Sequence, residues 1–146
     1  MQKKQKGLVW FRNDLRVNDN ESLSNAIAEN ECVIAIYCFD PRHYEETSFE
    51  FKKTEKFRAK FLIETVTELK QNLEKLNINL LIYHQKPEDC IANITEEHQI
   101  TSIYFQEEWM SEESEVLENV KAKVSNSIAF NQTYKQFLFH PEDVPF

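Results

Sequence analysis

Along the chain, short unbroken apolar runs alternate with longer stretches in which apolar residues return every three or four positions. The runs are "LVWF" (8–11), "CVIAIYCF" (32–39), "INLLIYH" (78–84), "ITSIYF" (100–105) and "SIAFNQ" (127–132). Continuous rather than alternating hydrophobicity is what a strand buried on both faces needs, so each run predicts a strand of a parallel sheet. The stretches between them predict helices. Leu23, Ala26 and Ile27 share one face of a segment that Asp19 or Asn20 can cap. From about Thr54 to Leu76, the residues Phe57, Phe61, Leu62, Val66, Leu69, Leu73 and Leu76 mark one apolar face opposite Lys and Glu, predicting an amphipathic helix about 35 Å long. Pro87 stands in the first turn of a helix over 86–98, where its missing N–H costs nothing. A last helix starts near Ser111, with Val116, Leu117, Val120 and Val124 on one side. Strand and helix in alternation imply right-handed crossovers. The expected fold is α/β: a five-stranded, mainly parallel, doubly wound Rossmann-like sheet with helices on both faces.

Composition narrows the function. The 146 residues suit one domain, and 41% apolar with 29% charged residues is globular. No run approaches the roughly twenty apolar residues that cross a bilayer, and no secretory leader is evident, so a cytoplasmic protein without membrane contact is expected. A net charge of −8 opposes nucleic-acid phosphates. Cys32, Cys38 and Cys90 form no CxxC pair and read as reduced, buried thiols. The four histidines lack ligand-like spacing, so no metal site is expected. Gly7 is the single glycine. Phosphate-cradling loops need several, which excludes dinucleotide and Walker-type sites.

Ligands of such sheets gather at the carboxyl ends of the strands. That rule selects "RNDLR" after the first strand, "DPRHY" after the second and "QEEW" after the fourth. Arg12, Asp14, Arg16 and Asp19 fit two compatible readings: mutual pairing that stiffens a loop without glycine, and a surface that docks on another domain. Glu107 and Glu108 stand at a helix entrance, where carboxylates suit the helix dipole. One of them turned into the cleft would accept paired hydrogen bonds from an amino-pyrimidine edge. The pattern leaves open which one. Trp109 reads as core or cleft wall. No Ser–His–Asp or Cys–His arrangement is present, so no catalytic residue is expected.

The stretches "LVWFRNDLRVNDNESL" (8–23), "YCFDPRHY" (37–44), "KTEKFRAKFLIETVTELKQNL" (53–73), "KPED" (86–89) and "SEESEVLE" (111–118) together resemble the amino-terminal domain of the photolyase and cryptochrome family. The wording "YCFDPRHY" is most similar to the DASH cryptochromes. The resemblance implies an antenna-binding α/β domain over 1–132 and the start of an interdomain connector over 133–146, with the helical FAD-binding domain absent from this chain. It implies a folate-type antenna, methenyltetrahydrofolate, with Glu108 on its pterin and Phe39 and Asp40 lining its pocket. Arg12, Asp14, Arg16, Asp19 and Asn20 match a signature loop near the flavin domain, which makes them a predicted interdomain interface with exposed charges. Light-driven pyrimidine-dimer repair or blue-light sensing would belong to the full-length protein, with DNA and FAD held by the helical domain and this chain inactive alone. Asn18 departs from the histidine usual in that loop. The rival reading is a stand-alone nucleotide-binding module of the universal-stress or electron-transfer-flavoprotein type, which the missing glycine loop after the fourth strand disfavours.

Overall fold

The strand β1 (Lys6–Phe11) lies at the centre of the sheet, with β2 (Cys32–Cys38) on one side and β4 (Ser102–Gln106) on the other. The computed structural model describes residues 4–45 and 55–134. With β3 (Asn79–Tyr83) and β5 (Ala129–Thr133) at the edges, the order is β3-β2-β1-β4-β5. All four pairings are parallel, so the sheet is parallel throughout rather than mainly so. Helices α1 (Glu21–Glu29) and α2 (Lys56–Glu74) carry the chain outward from β1 to β3, while α3 (Pro87–Glu97) returns across the sheet and α4 (Ser111–Lys123) leads to β5. Reversing direction under a fixed right-handed crossover puts the two helix pairs on opposite faces.

The run 8–11 shows why it had to be apolar throughout. Leu8 and Trp10 join Ile36, Ile91, Ile103 and Leu117 in the core on the α3/α4 face. Val9 and Phe11 join Leu23, Leu69, Leu73 and Tyr104 on the α1/α2 face. Side chains of a strand alternate between faces, so burial on both demands apolar residues at every position.

The predicted face of α2 is corrected over half its length. Val66, Leu69 and Leu73 are buried, but Phe57 is 84% exposed, Phe61 66%, and Leu76 also faces solvent. The cause is a length mismatch. Nineteen helical residues span about 28 Å, whereas the five of β3 span about 17 Å. The first turns of α2 therefore overhang the carboxyl edge of the sheet. In α1, Leu23 and Ala26 are buried while Ile27 is exposed. Cys38 and Cys90 are buried thiols, but Cys32 is exposed because it opens β2.

Scarcity of glycine shows in the turns. Gly7 is needed for packing: a Cβ there would lie 2.7 Å from Asn30 Nδ2, an amide that donates to Ala26 O and Tyr104 Oη. Left-handed backbone falls instead on Asp19 (φ 49°), Asn77 (φ 58°) and Gln99 (φ 55°). Asn77 and Gln99 each close a helix in a Schellman pattern. Ile78 N donates to Leu73 O and Asn77 N to Glu74 O after α2, and Ile100 N to Thr95 O and Gln99 N to Glu96 O after α3. Residues 46–54 and 135–146, the latter most of the connector expected over 133–146, lie outside the described residues.

Candidate functional site

Because β1 pairs with both β2 and β4, its carboxyl end is the point where strand order reverses. The loop after β1 (12–20) and the turn after β4 (107–110) meet there. Two of the three sequence-selected stretches are thus neighbours in space.

Glu108 is the buried member of the glutamate pair, 2% exposed, while Glu107 is half-buried. The turn is fixed from behind, since Glu107 N donates to Thr133 O at 2.9 Å and extends the β4–β5 ladder past Gln106. Arg12 provides the countercharge. Its guanidinium stacks 4.6 Å from the centre of the Trp10 ring and donates through Nη2 to Glu113 O at 2.7 Å. Asn13 Nδ2 donates to Glu113 Oε1 at 3.1 Å, which closes the loop onto the start of α4. Neither carboxylate oxygen of Glu108 has a hydrogen-bond partner, and Arg12 Nη1 has none either. The Asn13 amide, which donates to Glu113, also favours the charged form of Glu108. Burial pushes the Glu108 pKa up, Glu113 adds to the rise, and Arg12 opposes it. Burial likewise lowers Arg12, against the pull of Glu108, Glu113, Asp14 and Glu107.

The signature loop uses much of its polarity inwardly. Asp14, predicted to be exposed, is 2% exposed: its Oδ1 accepts from Arg12 N at 3.1 Å and its Oδ2 from Asn20 Nδ2 at 3.2 Å. Burial raises its pKa, against those same bonds to the charged form. Asn20 also donates to Arg16 O, and its Oδ1 caps α1 by accepting from Leu23 N at 3.1 Å. With one glycine in the chain, side-chain hydrogen bonds of this kind hold the loop's shape. Arg16 and Asp19 stay at the surface, where Arg16 Nη2 donates to Asp19 O at 3.3 Å.

Phe39 and Asp40 stand at the same carboxyl edge, after β2, with β1 between them and the turn that carries Glu108. Phe39 packs edge-on against Tyr37, 4.9 Å between ring centres. Asp40 is buried and engaged with Arg42, which donates through Nε and Nη2 at 2.6–3.1 Å, while Arg42 N donates to Asp40 Oδ1 at 3.0 Å. Burial alone would raise the Asp40 pKa, but the bonds from Arg42 outweigh it and hold the carboxyl below its usual value. The same guanidinium forks onto Glu88, with Nη1 to Oε1 at 3.1 Å and Nη2 to Oε2 at 3.0 Å. Asp40 therefore has little acceptor capacity left for a ligand, in contrast to Glu108. Sequence reasoning selected the stretches that hold Asn13 and Arg42 without singling out either residue, and it missed Glu88 and Glu113. No local spacing links Arg42 to Glu88, which are 46 positions apart, or Asn13 to Glu113.

What the switch point offers is a buried carboxyl group with both oxygens unpartnered, near the Arg12 guanidinium that stacks on Trp10. Such a group suits a ligand edge with two adjacent N–H donors. Among the described residues, no set of three His, Cys, Asp or Glu side chains is placed to hold a metal, and no helix is long and apolar enough to cross a membrane.

Comparison with known proteins agrees on one lineage. The profile of the family described as DNA photolyase matches residues 7–146. A cryptochrome DASH of Gloeobacter violaceus is 39% identical over 95% of this chain and 28% of its own length. The blue-light photoreceptor PHR2 of Arabidopsis thaliana is 39% identical, with 31% of its length covered. The crystal structure of a Synechocystis cryptochrome superposes with a TM-score of 0.92 at 35% identity, covering all of this chain and 31% of that one. An archaeal photolyase from Sulfolobus tokodaii, solved with two FAD molecules, shares the fold at a TM-score of 0.79 and 24% identity. The chain spans about 30% of the length of these relatives.

Proposed function

The chain belongs to the DNA photolyase family, and from that membership we propose that it holds a folate-type antenna, methenyltetrahydrofolate, with Glu108 gripping the pterin edge. It is an α/β domain of the photolyase and cryptochrome kind, with DASH cryptochromes among its relatives. The rival nucleotide-module reading is not favoured by these matches.

The observation that carries the antenna reading is the orphaned carboxylate. A buried acceptor without a partner costs about 1–3 kcal/mol, more when charged. A ligand presenting two N–H groups removes that cost and gains two charge-assisted bonds. Glu108 has both oxygens unused, so the residues present fit a pterin edge. When bound, the antenna would absorb light and pass its excitation to a flavin. The protein's own part is to orient the ring. Arg12 favours the charged form of Glu108 against the effect of its burial, Trp10 seats Arg12, and Asn13 with Glu113 closes the loop. Phe39 and Asp40 would line the far side of the pocket, Asp40 mainly by shaping the turn.

The relatives are more than three times as long as the matched chain, which leaves room for a partner domain in the same polypeptide. We assign FAD, DNA contact, and repair or sensing to that domain, with Arg12, Asp14, Arg16, Asp19 and Asn20 on the side that faces it. Of these, Arg16 and Asp19 present their charges at the surface, while Asp14 and Asn20 shape the loop beneath them.

Titrating the purified chain with methenyltetrahydrofolate, followed by the absorbance and fluorescence of the bound ligand, tests the reading. Glu108→Gln, which replaces one acceptor oxygen by a donor, should weaken binding about tenfold or more. Equal binding by wild type and variant would sink it. FAD serves as the competing ligand, and tight FAD binding by this chain would overturn the assignment of the flavin to another domain.

A further inference from the structure

We propose that Cys38 and Cys90 are a redox modification site, forming a reversible disulfide with a small peroxide as the oxidant. The proposal is independent of the antenna reading. Cys38 ends β2 and Cys90 lies in the first turn of α3, 52 positions apart in sequence. Their Sγ atoms are 2.7 Å apart, less than about 1 Å beyond the bond length of a disulfide. Both are free thiols, Cys38 9% exposed and Cys90 2%.

The pairing is built by the fold. The crossover of α3 brings its amino end over the carboxyl end of β2, so the two segments meet at one edge of the sheet. Arg42 then bridges Asp40, two residues after Cys38, to Glu88, two residues before Cys90. This ion pair holds the two backbones in register around the sulfurs. Cys32, at the far end of β2, is exposed and has no such neighbour.

The two sulfurs are not equivalent. The two sulfurs are in hydrogen-bond contact, and that contact together with backbone N–H groups in the first turn of α3 favours the anion on Cys90 and lowers its pKa. Cys90 is accordingly the attacking thiolate. It displaces hydroxide from hydrogen peroxide, giving a sulfenic acid, and the Cys38 sulfur then attacks that sulfur and expels its oxygen as water, which takes the Cys38 proton. Two thiols lose two hydrogens, and one peroxide becomes two waters.

The test is to oxidise the purified chain with hydrogen peroxide, block remaining thiols with an alkylating reagent under denaturing conditions, and map the peptides without reductant. The expected product is a Cys38–Cys90 cross-linked peptide, with Cys32 alkylated, and dithiothreitol returns all three thiols. The oxidised chain should melt roughly 5–10 °C higher than the reduced one, as closing a long loop implies. Cys32→Ser should leave the cross-link intact. Cys38→Ser and Cys90→Ser should abolish it, and circular dichroism of the two variants establishes that they fold. Recovery of Cys38 and Cys90 as separate alkylated or over-oxidised residues, or of Cys32-linked dimers alone, would overturn the proposal.

Discussion

Glu108 sets stability against binding within one side chain. Burial raises its pKa above 4.5, so holding the charge costs the native state free energy at neutral pH. That penalty is full above the raised native pKa and disappears below the unfolded value, where both states are protonated. Glu108→Gln should therefore melt about 2–4 °C higher than wild type near pH 7, the shift that about 1 kcal/mol gives a domain of this size, and the gain should vanish below about pH 4. A melting series across pH checks the sign. Antenna binding should run the other way and weaken as acid neutralises the acceptor. Asp40 provides the opposite case: its lowered pKa marks a contribution present at neutral pH and lost as pH falls through that value. Arg12→Ala removes the cation among Glu108, Glu113 and Asp14 and should cost about 2–4 kcal/mol in urea unfolding. At this scale the sequence offered two carboxylates after β4 without choosing between them, and the motif resemblance singled out Glu108, the buried one. The burial of Asp14 was not legible, because its partners Arg12 N and Asn20 Nδ2 are fixed by the fold of the loop and leave no trace in hydropathy.

Elements show where periodicity stops being informative. The apolar line along α2 gave the helix and its facing residues correctly from Val66 to Leu73. It also promised burial for Phe57 and Phe61, because a pattern along one helix carries no information about the length of the strand beneath it. Phe57→Lys and Phe61→Lys should leave stability within about 0.5 kcal/mol of wild type, whereas Leu69→Ala should cost about 2–5 kcal/mol. Denaturant unfolding of the three variants separates the two halves of the helix. Strand positions were legible to within two residues, since burial on both faces writes itself into the composition of every central strand. Helix ends were less so. Gln99 takes a left-handed corner that glycine fills at lower cost, and Gln99→Gly should stabilise the chain by about 1 kcal/mol, read from the shift of its thermal midpoint. Gly7→Ala should do the reverse, because Asn30 must give way.

As a whole molecule, the chain has a net charge of −8 and so repels phosphate at long range. It should not retard single-stranded DNA in a gel at physiological salt, and retention would move nucleic-acid contact onto this domain. The fold class was legible from alternation alone, whereas the placing of β1 at the centre rests on long-range pairing that no local window contains. That placing governs how the chain must assemble. Its first strand acquires one neighbour when Lys6 meets Cys32, but the other only when Gly7 meets Ser102. During synthesis, the open side of "LVWF" stays unpaired while some seventy further residues emerge, and late pairings of this kind make folding slow. Helices α1 and α2 can meanwhile cover only one face of a three-stranded intermediate, β3-β2-β1. A chain shortened before Ser102 should therefore associate through that bare edge and sediment as aggregate. Strand β1 thus waits for its second neighbour until most of the chain has emerged.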